Sequence, residues 1–256
     1  MGSEMCIRDR GDPLSPNLFN AVLEQIFKKL DWAKKGVSIK IRGANLFEFK
    51  KLNHLRFADD KVIIARNGAE LRSMVEDLGR ESLEMGLTMN LSKTKVMSNI
   101  KNLTTIRLGG GAEIERVHEY KYLGQTLSFE NKLEKELEVR RANAWKAFWS
   151  LKSIFKSKMK LSSKIRILES AVIPVLTYGA QTWAATSKQT QKIQKTQNAM
   201  LRSILGLRLK DRVRIEEIFN KSKAKKVGVV TRKLKYKYAG HIVRDTKYKW
   251  NKILTL

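Results

Sequence analysis

The sequence is poor in cysteine and in acidic residues, and it has no long apolar run. A single cysteine, Cys6, excludes a disulfide framework and a thiolate metal site, so we expect a reducing compartment, the nucleus or the cytoplasm. The histidines His54, His118 and His241 stand far apart, which argues against a zinc site. No run approaches the roughly 20 apolar residues that cross a bilayer, so no membrane partner is expected.

Basic residues outnumber acidic ones by 52 to 25, a net charge of +27. The excess is uneven, because residues 1–130 carry 21 Lys and Arg against 17 Asp and Glu, whereas residues 131–256 carry 31 against 8. A charge of +23 on the second part exceeds what solubility needs and predicts a polyanionic partner, nucleic acid or an anionic membrane. The basic residues are spread over several helical segments, which favours nucleic acid over a membrane surface.

The apolar pattern of residues 11–130 predicts an α+β fold. Ser15 is expected to cap a helix that has Pro16 in its first turn. A second helix is predicted over residues 68–85 and ends at Gly86. Strands are predicted at 37–42, 46–51, 55–57 and 62–65, near Val96 and Ile106, and over 120–127. The residues predicted to face the core are Leu18, Phe19, Val22, Leu23, Ile26, Phe27 and Leu30 in the first helix, and Leu71, Met74, Val75, Leu78 and Leu83 in the second.

Residues 131–256 have a helical period throughout. The predicted helices are 131–157, 161–185, 188–206 and 211–222, with a further basic helix over 227–243. The change of charge and period predicts a domain boundary near residue 130, and residues 1–10 are expected to be a non-native leader. Helix-core packing is favoured over base stacking for four aromatic residues, Trp145, Phe148, Trp149 and Trp183.

Two adjacent acids, Asp59 and Asp60, stand between two apolar β-type runs. An isolated acidic pair is more often a solvated turn, but these flanks predict a buried hairpin with both carboxylates at its tip. Their mutual repulsion requires a cation, and a divalent metal ion fits oxygen ligands. Two-metal phosphoryl transfer uses such carboxylates to hold two Mg²⁺ ions about 3.5–4 Å apart.

Four motifs, in this order, resemble those of the reverse transcriptases of non-LTR (LINE-type) retrotransposons. Gly11-Asp12-Pro13-Leu14-Ser15-Pro16, before an amphipathic helix, resembles the motif that lies near the incoming nucleotide and template. Phe57-Ala58-Asp59-Asp60 resembles the catalytic aspartate hairpin. Gly86-Leu87-Thr88-Met89-Asn90-Leu91-Ser92-Lys93-Thr94-Lys95 is similar to the motif whose lysine protonates the departing pyrophosphate, and Tyr120-Lys121-Tyr122-Leu123-Gly124 is similar to the primer grip.

The resemblance continues beyond these motifs. Residues 171–183 and 238–244 are similar to segments that follow the primer grip in endonuclease-containing elements. The resemblance implies that residues 11–130 are the C-terminal part of a reverse-transcriptase palm and that residues 131–256 form a basic, all-α, thumb-like region. It implies an RNA template, a DNA primer and dNTP substrates, with two Mg²⁺ ions as cofactor, and leaves the oligomeric state open.

The resemblance also assigns roles to residues. Asp59 would be the principal metal ligand and Asp60 a secondary one. Lys93 would be the general acid, with Lys95 an equal candidate from its spacing. The small Ala58 would leave room for the primer's terminal sugar. The residues expected to contact the nucleotide or template are Gly11, Ser15, Pro16, Phe57 and Ala58, and those expected to hold the primer end are Tyr122, Leu123 and Gly124.

The sequence departs from the family pattern at two places, and these departures bear on whether the chain is catalytically active. Arg10 stands where the family has a glutamine, and the family's third metal-binding aspartate lies upstream of Gly11, where neither Glu4 nor Asp9 matches its motif. We therefore expect the chain as given to be truncated and inactive. The alternative is a noncatalytic nucleic-acid-binding protein derived from such an element. A protein that binds anionic membranes is a third, weaker hypothesis.

Overall fold

The computed structural model describes residues 14–42, 47–100, 105–130 and 132–244. The leader 1–10 and the motif residue Gly11 lie outside the described residues. The chain divides into two compact units, the first ending at Gly124 and the second beginning at Gln125, a few residues before the change of charge. In the part described, no helix has the length and apolar character needed to cross a bilayer.

The first unit combines two helices with short strand pairs. Three antiparallel hairpins, β1–β2, β3–β4 and β5–β6, provide its strands, together with β7 and a parallel bridge between Val96 and Arg116. The elements are α1 (Leu14–Lys29), β1 (Val37–Arg42), β2 (Phe47–Leu52), β3 (His54–Phe57), β4 (Asp60–Ile63), α2 (Gly68–Glu84), β5 (Thr105–Arg107), β6 (Glu113–Glu115) and β7 (Glu119–Tyr122).

Helix α1 differs from its prediction at its N-terminal end. It begins at Leu14, so Ser15 lies within the first turn and not at the cap, and Pro16 is tolerated there because the first amides have no partner within the helix. Leu23 and Ile26 are buried, whereas Leu18 is 47% exposed and was wrongly predicted to face the core. The core shared with α2 forms around the second half of α1, which leaves Leu18 outside it.

Helix α2 is bounded as its sequence predicts. The Asn67 side chain caps its N-terminus by accepting from the Glu70 amide at 2.8 Å, and Gly86 ends it with a φ of +72°. Leu83 is 66% exposed, so its predicted burial was wrong. Ser82 occupies the inward position four residues after Leu78, and Leu83 is rotated a further 100° around the helix.

An aromatic cluster attaches the β3–β4 hairpin to α1. The His54 ring lies 4.6 Å from the Phe27 ring and 5.9 Å from the Trp32 ring. The Arg56 guanidinium lies 4.5 Å from the centre of the Phe27 ring, and its Nη1 is 2.9 Å from Glu24 Oε2. These contacts hold the base of the hairpin against α1. The position of the tip follows from the position of this base.

The second unit is almost entirely helical. A short strand, β8, opens it, and helices follow as far as Arg244. The elements are β8 (Gln125–Ser128), α3 (Lys132–Ser150), α4 (Lys152–Lys156), α5 (Leu161–Ile167), a π-helical turn (Leu168–Val172), α6 (Ile173–Leu176), a 3₁₀ turn (Ala180–Thr182), α7 (Ser187–Leu205), a second 3₁₀ turn (Leu209–Asp211), α8 (Ile215–Ser222) and α9 (Val227–Arg244).

The single helix predicted over residues 161–185 is broken into several pieces. Pro174 lies in the first turn of α6, where it cannot donate a backbone hydrogen bond and its ring crowds the preceding turn. The chain passes through the π-helical turn immediately before it, and Gly179 then ends the segment with a φ of +77°. The helix predicted over 131–157 is likewise divided, at Leu151.

The core of the second unit is mainly apolar, and it draws on α3, α7 and α9. Phe148 and Trp183 are buried as predicted, whereas Trp149 is 49% exposed and stacks on Trp145. A fully buried amide, that of Gln197, joins α7 to the start of α9. Its Nε2 donates to the carbonyl of Lys225 at 2.7 Å, and its Oε1 accepts from the amide of Val227 at 2.8 Å.

A buried ion pair joins β8 to α3 in the same unit. Arg140 Nε donates to Glu136 Oε1 at 2.6 Å, and Glu136 Oε2 accepts from the amide of Thr126 at 2.9 Å. The two charged side chains are 9% and 4% exposed, and the Arg140 guanidinium lies 4.5 Å from the centre of the Tyr178 ring. The Glu136 carboxylate therefore accepts hydrogen bonds from both the buried Arg140 guanidinium and the backbone amide of Thr126.

Glu136→Gln should lower the free energy of unfolding by about 3 kcal/mol, because it removes the buried carboxylate that pairs with the Arg140 guanidinium. The matched control is Glu138→Gln, on the exposed side of the same helix, which should change the free energy by less than about 0.5 kcal/mol. Chemical denaturation of both variants measures the difference. Equal effects would show that the Glu136 carboxylate contributes no more than a surface charge does.

His54 should make stability depend on pH. Burial, followed by the positive charge of Arg56, lowers the pKa of His54 from its ordinary 6.5. Near and below pH 6.5 the unfolded chain takes up a proton that the folded chain binds less readily. This contribution to the free energy of unfolding is therefore complete above that pH and is lost as the pH falls through it.

The measurement is the melting temperature between about pH 7.5 and about pH 5.5, the range in which histidine titrates. The fall should be steeper for the parent than for His54→Phe, which keeps an aromatic ring against Phe27. His118→Gln alters an exposed histidine and should keep the parent's slope. If the parent and His54→Phe have parallel slopes, His54 does not produce the pH dependence.

Candidate active site

Asp59 and Asp60 lie at the tip of the β3–β4 hairpin. Phe57 pairs with Asp60, so Ala58 and Asp59 form a two-residue turn and Asp60 begins the returning strand. Ala58 has a φ of +52°, a left-handed conformation that costs a residue with a Cβ about 1 kcal/mol. The adjacent carboxylates are thus held by a short, slightly strained turn.

The hairpin is more exposed than its sequence predicts. Leu55 is 39% exposed, Phe57 is 64% exposed, and both aspartates are exposed. The prediction of a buried hairpin was wrong because β3 and β4 form a sheet of two strands, of which the base packs on α1 and Ile63 packs near α2. The carboxylates are accordingly open to ions and to a polynucleotide from solvent.

The hairpin's charges act on two neighbours in the first unit. Burial lowers the pKa of Lys61, the positive charge of Arg56 adds to the fall, and the Asp59 carboxylate opposes it. Burial, and then the negative charge of Asp60, raises the pKa of the Tyr122 phenol. Tyr122 therefore lies close enough to Asp60 to sense its charge, although more than 60 residues separate them in sequence.

The structure distinguishes the two candidate lysines. Lys95 Nζ is bound to Glu115 Oε2 at 2.8 Å, so its charge is already paired. The ammonium of Lys93 forms no ion pair within the described residues. The backbone of Lys93 is held in a turn, where its amide donates to Asn90 Oδ1 at 3.2 Å and its carbonyl accepts from the Tyr120 hydroxyl at 3.3 Å.

The segment 120–124 ends in a tight turn. Leu123 and Gly124 follow β7 with φ values of +47° and +75°, both in the left-handed region. Tyr120 contacts the Lys93 segment and Tyr122 lies near Asp60, so β7 runs between two of the motifs. The sequence gives their order along the chain but carries no signal for these contacts.

Helix α1, which begins within the first motif, contacts the β3–β4 hairpin. Ser15 is half-buried and Pro16 is exposed in the first turn of that helix. Further along, Glu24 and Phe27 hold Arg56 of β3, so the helix that begins in the first motif carries the anchor of the acidic hairpin. Sequence reasoning did not identify this anchor, because its partners are scattered along the chain.

Asp59 and Asp60 supply oxygen ligands of the kind that Mg²⁺ prefers. Among the described residues, no cluster of three or more histidine, cysteine, aspartate or glutamate side chains could hold a metal ion. The described chain therefore offers two adjacent carboxylates and not a complete set of protein ligands.

Comparison with known proteins identifies the first unit. Residues 6–127 match the family "Reverse transcriptase (RNA-dependent DNA polymerase)". A transposon-derived protein of Caenorhabditis elegans is 31% identical over 164 residues, which are 62% of this chain and 59% of that protein. A retrovirus-related Pol polyprotein from the type-1 retrotransposable element R2 of Popillia japonica is 24% identical over 226 residues, 80% of this chain and 29% of the polyprotein.

A third relative is the RNA-directed DNA polymerase from the mobile element jockey of Drosophila funebris. It is 28% identical over 130 residues, 49% of this chain and 14% of that polymerase. The chain thus spans less than two thirds of each of these relatives. No solved structure matches it. Residues 6–127 therefore match the reverse transcriptase family, and the chain resembles the polymerases of non-LTR, LINE-type retrotransposons.

Proposed function

We propose that the chain is part of an RNA-directed DNA polymerase and contributes the acidic hairpin of its active site. The observation that carries the proposal is the turn that exposes Asp59 and Asp60 side by side. The negative charge of Asp60 also contributes to the raised pKa of the Tyr122 phenol. A primer strand held near Tyr122 would bring its 3′ end toward these carboxylates. The substrates are a DNA primer, an RNA template and dNTPs, as in the polymerases that the relatives' names describe.

In this proposal the two units have different tasks. The first unit, with its helices and short hairpins, is the C-terminal part of the palm. The second unit is thumb-like, and its positive charge holds the phosphate backbone of primer and template. The boundary follows the turn at Leu123 and Gly124, which ends the primer-grip segment.

Asp59 and Asp60 would hold Mg²⁺, and Asp59 would be the principal ligand. When bound, the metal ions lower the pKa of the primer's 3′ hydroxyl and stabilise the charge on the leaving oxygens. The hairpin fits such ions because its carboxylates are exposed hard ligands at an anchored tip. Two carboxylates are too few to fix two ions, so at least one further acidic ligand must come from elsewhere in the polymerase.

Other residues of the unit would orient the substrates. Lys93 would donate a proton to the departing pyrophosphate, since its ammonium is unpaired among the described residues and that of Lys95 is bound to Glu115. The small side chain of Ala58 leaves space beside the carboxylates for the primer's terminal sugar. Phe57 presents an exposed ring next to them, and Ser15 and Pro16 begin the helix that supports the hairpin.

A noncatalytic nucleic-acid-binding protein is the second candidate. The observation that favours it is the charge of +23 on residues 131–256, which would bind nucleic acid whether or not the hairpin is active. The two functions differ in their dependence on Asp59. Polymerisation requires its carboxylate, whereas binding through the basic unit does not.

Asp59→Asn should weaken Mg²⁺ binding without harming the fold. Removing one of two adjacent like charges relieves repulsion, so the melting temperature without metal should equal or slightly exceed that of the parent. Added Mg²⁺ should raise the melting temperature of the parent more than that of the variant. Asp31→Asn, at an exposed aspartate outside the hairpin, is the control and should respond to Mg²⁺ as the parent does. A large loss of stability in Asp59→Asn without metal would mean that the carboxylate is structural.

The 256 residues alone should extend no primer on an RNA template with Mg²⁺, because a hairpin with two carboxylates holds an incomplete metal site. Joining the chain to the fingers and upstream aspartate of a related element should give primer extension. Asp59→Asn in that longer chain should reduce extension to background, since the members of a catalytic unit act together. Extension by the 256 residues alone that also depends on Asp59 would contradict the proposal of an incomplete site.

Nucleic-acid binding should weaken steeply with salt and should depend on the second unit. Raising KCl from about 50 to about 200 mM should lower the affinity at least tenfold, because bound phosphates release counterions. Lys188→Gln with Lys195→Gln removes two exposed charges from the second unit and should reduce both the affinity and its dependence on salt. Lys28→Gln with Lys34→Gln removes two exposed charges from the first unit and is the matched control. Equal losses from both pairs, or a flat salt response, would refute this assignment.

A further inference from the structure

Helix α9 has an outer face that does not pack into the core of its unit. Tyr236 is 72% exposed, and Val229 and Val243, seven residues before and after it, are 57% and 66% exposed. On the opposite side, Val227 and Ile242 are buried. The large aromatic ring of Tyr236 is therefore displayed on the surface, where core packing gives no reason for it.

The same helix is strongly and uniformly cationic. Val227–Arg244 contains no acidic residue. None of its lysines and arginines forms an ion pair with a described residue. These cations are Arg232, Lys233, Lys235, Lys237 and Arg244. The helix thus places unneutralised positive charge on both sides of an exposed aromatic ring, a combination found where proteins bind single-stranded nucleic acid.

Gly240 gives this face its shape. A Cβ on Gly240 would lie 3.1 Å from Nη1 and 3.5 Å from Cζ of Arg244, so the Arg244 guanidinium folds back over the glycine. Tyr236 lies four residues before Gly240 and hence on the same side of the helix, one turn away. Tyr236, Gly240 and Arg244 therefore form one strip along the outer side of the helix, with the Arg244 guanidinium over the glycine. This strip is called here the Gly240 notch.

We propose that the Gly240 notch holds a base of single-stranded nucleic acid. The base stacks on the Tyr236 ring and against the Arg244 guanidinium, while Arg232, Lys233 and Lys237 bind the adjoining phosphates. A flat ring and a guanidinium plane both stack on any nucleobase, so the site takes RNA or DNA without regard to sequence. A duplex cannot use the notch, because its bases are already stacked on one another.

This inference rests on the proposed function, since it takes nucleic acid as the partner and assigns it a place on α9. It goes further because it distinguishes an electrostatic contribution to the affinity from a contribution made only by unpaired bases. The general positive charge holds any nucleic acid, whereas the notch adds a preference for unpaired bases. The two parts respond differently to salt, because stacking on Tyr236 releases no counterions.

The experiment uses the full chain and labelled oligonucleotides of about 20 nucleotides, enough to cover a single-strand binding site. The probes are single-stranded RNA, single-stranded DNA of the same sequence and the corresponding RNA duplex. Affinities are measured by fluorescence anisotropy at several KCl concentrations, and circular dichroism confirms that each variant is folded. Vesicles rich in phosphatidylserine provide a further arm.

Tyr236→Ala should lower the affinity for single strands about tenfold while leaving the salt dependence and the duplex affinity unchanged. Tyr236→Phe keeps the ring and should bind within about twofold of the parent. Gly240→Ala should also weaken single-strand binding, because the added Cβ would displace the Arg244 guanidinium, although alanine favours a helix over glycine. Val229→Ala, an exposed apolar position two turns from the notch, is the control and should bind as the parent does.

Several outcomes would overturn the inference. Parent-like single-strand binding by Tyr236→Ala would remove the notch as a binding site, while the proposed function would stand on the parent's binding. Equal losses on single strands and duplex, or loss of vesicle binding alone, would assign Tyr236 another partner. If the parent binds no nucleic acid, the proposed function fails first. A Tyr236→Ala effect on both RNA and DNA single strands supports the inference, and an effect on one of them supports it for that strand.

Discussion

The second unit must fold against its own charge, and three of its acids lie where they hold its elements together. Glu134 joins α3 to Lys192 of α7, and Glu136 binds the buried Arg140 together with the amide of Thr126. Glu169, in the π-helical turn, accepts from the amide of Lys225 at 2.8 Å, just before α9. Because these carboxylates are engaged at joints between elements, they do little to neutralise the outer surface. The outer surface remains cationic, and such a surface attracts nucleic acid.

The first unit also has a local excess of charge, here negative, at the tip of the β3–β4 hairpin. Two carboxylates lie side by side at an exposed tip, and no ion pair with a described residue neutralises them. The base of their hairpin is instead fixed by ring contacts among Phe27, Trp32 and His54 and by the pairing of Arg56 with Glu24. A firm base lets the tip keep its geometry while its charges stay available to an ion. Strain at Ala58 and repulsion at the tip are small costs that such an anchor offsets.

Local patterns in the sequence predicted the elements well, and contacts between distant residues were beyond their reach. Helix α2 (Gly68–Glu84) follows its predicted apolar period and ends before Gly86, and β1 matches its predicted bounds. Leu18 and Leu83 were misplaced because apolar character alone does not reveal where a core ends. The helical period over residues 161–185 predicted one helix, which Pro174 and Gly179 divide.

The candidate site likewise has features that the sequence predicts and features that depend on contacts between distant residues. The tight turn that presents Asp59 and Asp60 follows from the residues around it, whereas its exposure depends on how few strands accompany it. The nearness of Tyr122 to Asp60 and the pairing of Lys95 with Glu115 depend on the folded path of the chain. The roles proposed for these residues come from the family resemblance. The pairing of Lys95 with Glu115 is the reason that Lys93 is the proposed acid.

The buried amide of Gln197 limits how this sequence can vary. Apolar residues around it can exchange with others of similar volume at a cost below about 1.5 kcal/mol, because packing has no preferred direction. An amide that donates to one backbone group and accepts from another has no such substitute: glutamate lacks the donor, and asparagine is shorter by a methylene. These directed bonds hold the start of α9 against α7. The position of Gln197 therefore has no conservative replacement, whereas the apolar positions around it have several.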